Sequence, residues 1–485
     1  KLTLEITSNP AWYAVQSLPY LMEYPYECAE QTFARYYSNT LASHILNSNP
    51  RIKEVFNQWQ TSDALVSNLE KNEELKSMII QETPWLRDAQ SETEQKKRIA
   101  LLFDLNKLNN EKETAIKKLE EMQFSNGGFP WFKGSQYPNR YITQHIATGF
   151  GHLQQLKVDL NSEEKIQNIQ RKVVQFLDDE IEDDYKKLLF EAKKIREKAK
   201  TTAQGLKDEA AYLAQNHLGH IQLQYLYMRS FYKTLKIDKN LQTAIDYYTN
   251  QSANFWKDNN LYAKGLIALI QHRKGNKILT TAILKSLKEN SIVSEELGMY
   301  WKENTASWYW YQAPIETQAL LIEVFSEIEN DIATVDELKI WLLKNKQTNS
   351  WKTTKETTEA VYALLLQGSD WLAVNETIDV TVGGQKIEPS KLENVKIEAG
   401  TGYYKTSWNG TEIKPGMGTV TIAKKDKGIA WGSLYWQYFE DLDKITSAET
   451  PLKLSKKLFL KTNADTGKKL TEIKETSSLK LGDLI

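Results

Sequence analysis

Tyr24-Pro25-Tyr26-Glu27-Cys28-Ala29-Glu30-Gln31 holds the single cysteine of a 485-residue chain, three residues ahead of a glutamine. A lone thiol has no disulfide partner within its own chain, and such a residue is most often a small buried hydrophobe. The residues at positions 28 and 31 permit a sharper reading. If the Cys28 sulfur displaces ammonia from the Gln31 carboxamide, an internal thioester closes through Ala29 and Glu30. The ring is large enough to avoid serious strain in a turn at the start of a helix. Such an ester is a stored electrophile, because a thiolate leaves far more readily than an amide nitrogen.

Composition narrows the surroundings of this motif. Lys plus Arg is 62 and Asp plus Glu is 63, so there is none of the basic excess that marks a nucleic-acid binder. No apolar run approaches the ~18 residues of a membrane span, so no membrane contact is expected from this stretch. The chain opens on Lys1-Leu-Thr-Leu-Glu-Ile and stops within another alternating pattern at Leu479-Lys-Leu-Gly-Asp-Leu-Ile485. A piece of a longer polypeptide with two or more domains is therefore expected. The 14 Trp and 24 Tyr suit extensive helix packing or a binding surface.

Helical spacing dominates from about residue 11 to 370, as in Leu261-Tyr-Ala-Lys-Gly-Leu-Ile-Ala-Leu-Ile270. Within it a unit recurs: a helix, a polar turn with an aromatic residue, then Thr/Gln-rich residues opening the next helix. One copy passes through Phe124-Ser-Asn-Gly-Gly-Phe-Pro-Trp131 into Tyr141-Ile-Thr-Gln-His145. Another joins Met299-Tyr-Trp301 to Ile315-Glu-Thr-Gln318, and a third joins Trp351 to Thr353-Thr-Lys-Glu-Thr-Thr358. Helix pairs of this kind bury their apolar faces only by stacking. Residues 161–210, with Asp178-Asp-Glu-Ile-Glu-Asp-Asp184, read as one or two long solvated helices. After Gly368 the pattern alternates as strands, at Thr377–Val382, Lys391–Glu398, Gly418–Ala423 and Ile429–Tyr438.

Cys-x-Glu-Gln behind a Tyr-Pro-Tyr lead, together with the helical repeats, resembles the thioester region of the alpha-2-macroglobulin and complement family, and its bacterial branch in particular. The resemblance implies a multidomain, mainly α chain. Its parts would be a first strand at 1–10, an α/α toroid at 11–370, the rest of a split CUB-like antiparallel β domain at 371–450, and the start of a macroglobulin-like β domain at 451–485. It implies a thioester between Cys28 and Gln31, supported by Tyr24, Pro25, Tyr26 and Glu30. The activity implied is protease inhibition by a single-turnover covalent trap rather than enzymatic turnover. Partners would be proteases, captured through lysine amines, and other domains of the same full-length chain. The implied location is periplasmic or cell-surface, with a lipid anchor elsewhere in the protein, and neither cofactor nor metal is required.

Other chemistries compete for the same residues. Asp178, Asp179, Asp183 and Asp184 resemble diphosphate-binding Asp clusters, with Mg²⁺ as the ion, but the spacing is unusual and the segment is heavily charged. His217 and His220 lie i, i+3 without an evident third zinc ligand. A cysteine-protease reading would pair Cys28 with His44 or His145, yet no papain-like signature surrounds the cysteine. A non-covalent alternative also stands: a toroid lacking a thioester that binds a partner through its aromatic-rich face.

Overall fold

The computed structural model describes residues 1–10, 12–22, 24, 26–48, 54–55, 57–58, 105–160, 163–295, 297–310, 312–346, 351–366, 378–393, 395–424, 429–439, 441, 455–464, 467–474 and 477–485. The described helices are α1 (Trp12–Met22), α2 (Ala29–Ser48), α3 (Leu105–Met122), α4 (Arg140–Gln155), α5 (Glu164–Lys198), α6 (Thr202–Leu213) and α7 (His220–Arg229). They continue with α8 (Lys239–Phe255), α9 (Leu261–Arg273), α10 (Lys277–Glu289), α11 (Pro314–Ile328), α12 (Ile332–Lys344) and α13 (Thr354–Leu365). The chain is mainly helical with small antiparallel sheets. Among the described residues no helix is long and apolar enough to cross a membrane.

Packing among the helices returns on itself. α2 packs on α4, α4 on α7, α7 on α9, α9 on α11, α11 on α13, and α13 comes back to α2. Each of these six carries a second helix: α3 on α2, α5 on α4, α8 on α7, α10 on α9, α12 on α11 and α1 on α13. Burial separates the two sets. Every residue of α4 from Ile142 to Leu153 is buried, and so is every residue of α11 from Ile315 to Phe325. α10 buries only Thr280, Ile283, Leu284 and Leu287. A helix covered on all sides belongs to the interior, and one with a single apolar stripe to the periphery.

The recurring unit has a physical basis. Thr143, in the first turn of α4, accepts the Phe129 N–H at 2.9 Å. Thr357, in the first turn of α13, accepts the Trp351 N–H at 3.1 Å, and the Trp351 indole donates to the Leu342 carbonyl at 3.1 Å. Gln318 of α11 donates to the carbonyls of Met299 and Leu338, while the Trp301 indole reaches Leu287 O at 2.9 Å. Polar residues opening α4, α11 and α13 thus satisfy backbone groups of the preceding turn, which would otherwise be buried unpaired. The aromatic residue of that turn fills the gap between helices.

Strand β1 (Leu2–Thr7) pairs antiparallel with β6 (Tyr404–Trp408), setting Leu2 opposite Trp408 and Ile6 opposite Tyr404. β8 (Trp431–Trp436) flanks β1 on its other edge. A second sheet has the order β5 (Gln385–Ile387), β4 (Asp379–Val382), β7 (Val420–Ala423). Leu4, Ile6 and Tyr404 from the first sheet share a small core with Val380 and Val382 from the second. A short hairpin, β2 (Ile292–Ser294) with β3 (Gly298–Tyr300), lies between α10 and α11. Lys1 and residues 436–485 form a separate compact unit containing the hairpin β9 (Phe459–Ala464) and β10 (Gly467–Glu472).

The expected strand over Lys391–Glu398 is not one. Its start is a short 3-10 turn at Pro389–Lys391. Its end enters a tight turn in which Gly402 N–H bonds Glu398 O at 2.9 Å, with Gly400 at φ +80° and Gly402 at φ +62°. Those left-handed positions favour glycine, and they return the chain into β6, which the alternation pattern did not reveal. The expected boundaries near 370 and 450 fall outside the described residues.

Candidate functional site

Cys28 stands immediately before the first residue of α2, and its carbonyl accepts the Thr32 N–H at 2.9 Å. That is the N-cap position, where the backbone N–H groups of the next turn lack helical partners. The Gln31 side chain turns back so that Oε1 accepts the Cys28 N–H at 3.3 Å. This is one half of a capping box, in which the side chain of the third helical residue meets the N-cap backbone. Sulfur and carboxamide are thereby brought to the same end of the same helix.

The electrostatics at the sulfur are opposed. Burial raises the Cys28 thiol above its ordinary value, Glu30 adds to this, and the amides of Gln31 and Glu30 pull the other way. Burial wins, so an unlinked Cys28 is a protonated thiol at neutral pH. Only 8 % of the residue's surface is exposed.

Several contacts fix this turn. Ala29 N–H donates to Trp131 O at 3.1 Å, tying the start of α2 to the loop before α4. Glu27 is engaged by Lys118 of α3, with Arg35 of α2 at 3.8 Å. The Lys118 hydrogen bond is the main reason its carboxyl sits below the usual range. Arg35 also donates to Tyr24 O at 2.5 Å. Glu27 is not among the described residues with positive φ, so its backbone does not require glycine. Tyr24 packs between Tyr20 and Tyr26 at centroid distances of 5.5 and 5.8 Å. Tyr26 is 67 % exposed, so its ring does not cover Cys28 from solvent by burial of its own. Pro25 lies outside the described residues.

Glu30 points the other way, into the ring of helices. Both its oxygens accept from Thr354 Oγ1, at 2.9 and 3.0 Å. Burial raises its carboxyl, while Thr354 and the nearby Lys355 oppose the rise. Beyond it lies a polar cluster that sequence reasoning missed. Lys355 pairs with Glu316 at 3.1 Å. His152 stacks on Tyr362 at 3.7 Å, meets Tyr227 OH at 2.9 Å through Nε2, and has Glu359 3.7 Å from Nδ1. Arg273 joins Glu323 and Glu327, each at 2.6 Å. His145, His152, Tyr227, Glu316, Lys355 and Glu359 are among the groups lining a cavity of about 20 Å³, room for roughly one water. Burial, with Lys355 nearby, holds His145 down at about 3, and burial raises Glu359 to about 8. The only sequence trace of this cluster is polar residues at positions whose helical neighbours are apolar.

The competing candidates have separate occupations. Asp178 is buried and accepts from Arg229 at 3.0 Å and from Tyr225 at 2.6 Å. Asp184 pairs with Arg140 at 2.7 Å, and Asp183 lies 3.6 Å from Lys186. Asp179 accepts from Gln175. His217 Nε2 contacts Tyr212 O at 2.7 Å, and the His220 ring packs edge-on against Trp310. His145 lines the central cavity and sits edge-on to Phe33, while His44 is a half-buried residue of α2.

No family model matches this chain, and no curated protein sequence matches it. Among solved structures it is similar to Escherichia coli alpha-2-macroglobulin spanning domain MG7 to the C-terminus, at 12 % identity and TM-score 0.45, covering 89 % of this chain and 51 % of that one. It is also similar to the native conformation of E. coli alpha-2-macroglobulin, at 12 % identity and TM-score 0.44, covering 95 % of this chain and 22 % of that one. A Salmonella alpha-2-macroglobulin point mutant aligns at 11 % identity and TM-score 0.44, covering 89 % and 21 %. The chain spans about half the length of the first of these and about a fifth of the other two.

Proposed function

We propose that Cys28 and Gln31 form an internal thioester, and that the chain is the thioester region of an alpha-2-macroglobulin-like protease trap. The observation that carries this reading is the Gln31 carboxamide folded back onto the Cys28 N–H at a helix N-cap. In ring closure the Cys28 sulfur bonds Gln31 Cδ, and the thiol proton leaves with the departing nitrogen as ammonia. The oxygen that gathers negative charge during attack is Oε1, which already accepts the Cys28 N–H. A preorganised donor at that atom lowers the barrier to both closure and opening.

Opening runs the chemistry outward. A lysine amine of a protease attacks the acyl carbon, an amide forms, and Cys28 leaves as thiolate among the amides of Glu30 and Gln31, where a helix N-terminus favours negative charge. No step regenerates the thioester, so the event is single-turnover. In the same reading the circuit of helices is an α/α toroid, and the two small sheets joined through β1 are a split CUB-like domain. The thioester is sheltered by other domains of a longer, extracytoplasmic chain.

Intact mass and amine capture test the proposal together. Freshly purified protein should be lighter than its sequence by one ammonia, and a labelled primary amine should attach at Gln31 while releasing one thiol. A mass equal to the sequence, with no labelling, would sink the thioester. It would leave the stacked and partly exposed Trp131–Phe132 pair beside α2 as the feature favouring a non-covalent binding surface.

A further inference from the structure

Thr354 is the first residue of α13, yet its hydroxyl plays no part in capping that helix. Capping is done by its neighbours: Thr353 Oγ1 accepts the Glu356 N–H at 3.1 Å, and Glu356 Oε2 accepts the Thr353 N–H at 3.0 Å. The Thr354 hydroxyl instead crosses to α2 and donates to both oxygens of Glu30. Thr354 is buried at 4 % exposure, so water does not compete for that bond. Glu30 is the second residue of α2, between the two members of the Cys28–Gln31 pair. Its carboxylate is thus held where two helices begin, with the Lys355 cation nearby. Both helix N-termini favour the anion.

Ring closure depends on orientation more than on reactivity, since a buried thiol at neutral pH is a weak nucleophile. Oriented neighbours gain their advantage through effective concentration, which falls steeply with small misplacement. Three of the four residues from Cys28 to Gln31 are anchored: Ala29 by Trp131, Gln31 by the Cys28 N–H, and Glu30 by Thr354. The Ala29 anchor uses backbone alone, and the Gln31 anchor joins the two members of the pair itself. Only the Glu30 anchor depends on a side chain from elsewhere in the ring.

We infer that Thr354 is a positioning residue for thioester formation: its hydroxyl, through Glu30, holds the first turn of α2 in the register that sets Cys28 against Gln31. This rests on the thioester reading above and adds to it a residue far away in sequence. Thr354 acts on closure of the ring. Once the bond exists the covalent ring keeps its own geometry, and attack by an outside amine no longer depends on the hydroxyl.

Three full-length proteins test this: wild type, Thr354→Val, which keeps the shape and removes the donor, and Thr354→Ser, which keeps the donor. Intact mass gives the fraction cross-linked. Labelled methylamine gives the capture rate of that fraction, and thermal melting reports the fold. The expected result is a drop of about tenfold in the cross-linked fraction of Thr354→Val, the size associated with losing one hydrogen bond to a charged group. Thr354→Ser should recover it, and the capture rate per cross-linked molecule should be the same in all three. Cross-linking of Thr354→Val to the wild-type extent overturns the inference and leaves the thioester standing. So does a Thr354→Ser protein as poor as Thr354→Val. A wild type with no cross-link overturns the thioester reading, and the inference with it.

Discussion

Two helix starts in this molecule share one hydrogen bond, from the N-cap N–H to the side chain of the third helical residue. At α13, Thr353 and Glu356 exchange hydrogen bonds in a capping box. At α2, Cys28 and Gln31 occupy the corresponding positions, with Gln31 Oε1 on the Cys28 N–H. The first pair is a hydroxyl and a carboxylate, which have nothing to do to each other beyond hydrogen bonding. The second is a thiol and a primary amide, which can exchange ammonia for a covalent bond. Environment separates them further. Thr353 is exposed, whereas Cys28 is buried, so a reactive ester at α2 meets little water. The comparison teaches that an ordinary capping geometry already supplies the approach, and that two residue choices and burial supply the chemistry.

The largest expected effect breaks the comparison at α2. Cys28→Ser restores the hydroxyl found at α13, and labelled-amine incorporation should vanish, because an alkoxide is a much poorer leaving group than a thiolate. Gln31→Glu should do the same by removing the amide nitrogen that leaves as ammonia. Undiminished labelling of either variant would show that the site does not react as described.

The converse transplant is Thr353→Cys combined with Glu356→Gln. Geometry alone would make a second thioester, but the exposed position should leave the mass without a second loss of ammonia. A second loss would show that burial is dispensable. A smaller effect concerns the released thiol. Burial raises its pKa, so after opening by methylamine Cys28 should alkylate more slowly at pH 8 than the same thiol in denatured protein, and the gap should narrow as pH rises. Smallest is the structural value of the caps. Thr353→Ala should cost about 1 kcal/mol in denaturant unfolding, and Cys28→Ala no more than about that. The two caps would then be near equals in stability while differing wholly in reactivity.

Much of this was legible along the chain because its causes are local. The Cys28–Gln31 spacing is a helix-start signature, and the aromatic turns answer to Thr143, Gln318 and Thr357 within a few residues to a few tens of residues. What could not be read has causes that cross the fold. Thr354 looks like one more threonine in Thr353-Thr-Lys-Glu-Thr-Thr358, and only the meeting of α13 with α2 gives it Glu30. Lys118 is one lysine among many until α3 sets it beside Glu27. The cluster of His145, His152, Glu316, Lys355 and Glu359 draws on three helices, with no motif in any one of them. Strand β6 escaped because its neighbours are turns fixed by Gly400 and Gly402 rather than by alternation.

The bond between Thr354 and Glu30 joins residues separated by 324 positions, and that distance sets a schedule. Helices such as α2 and α3 form from nearby sequence soon after they are made, whereas the last contact of the circuit waits for α13. Contacts of such long range come late in folding, after the loop-closure entropy of the intervening chain has been met, and synthesis adds its own delay at roughly 5–20 residues per second. If Thr354 governs ring closure, the acyl group cannot be armed before α13 has emerged. A nascent polypeptide full of lysine amines would be the first thing a premature thioester met. Placing the final hold on Glu30 at the far end of the ring makes closure of the helical circuit the condition for reactivity.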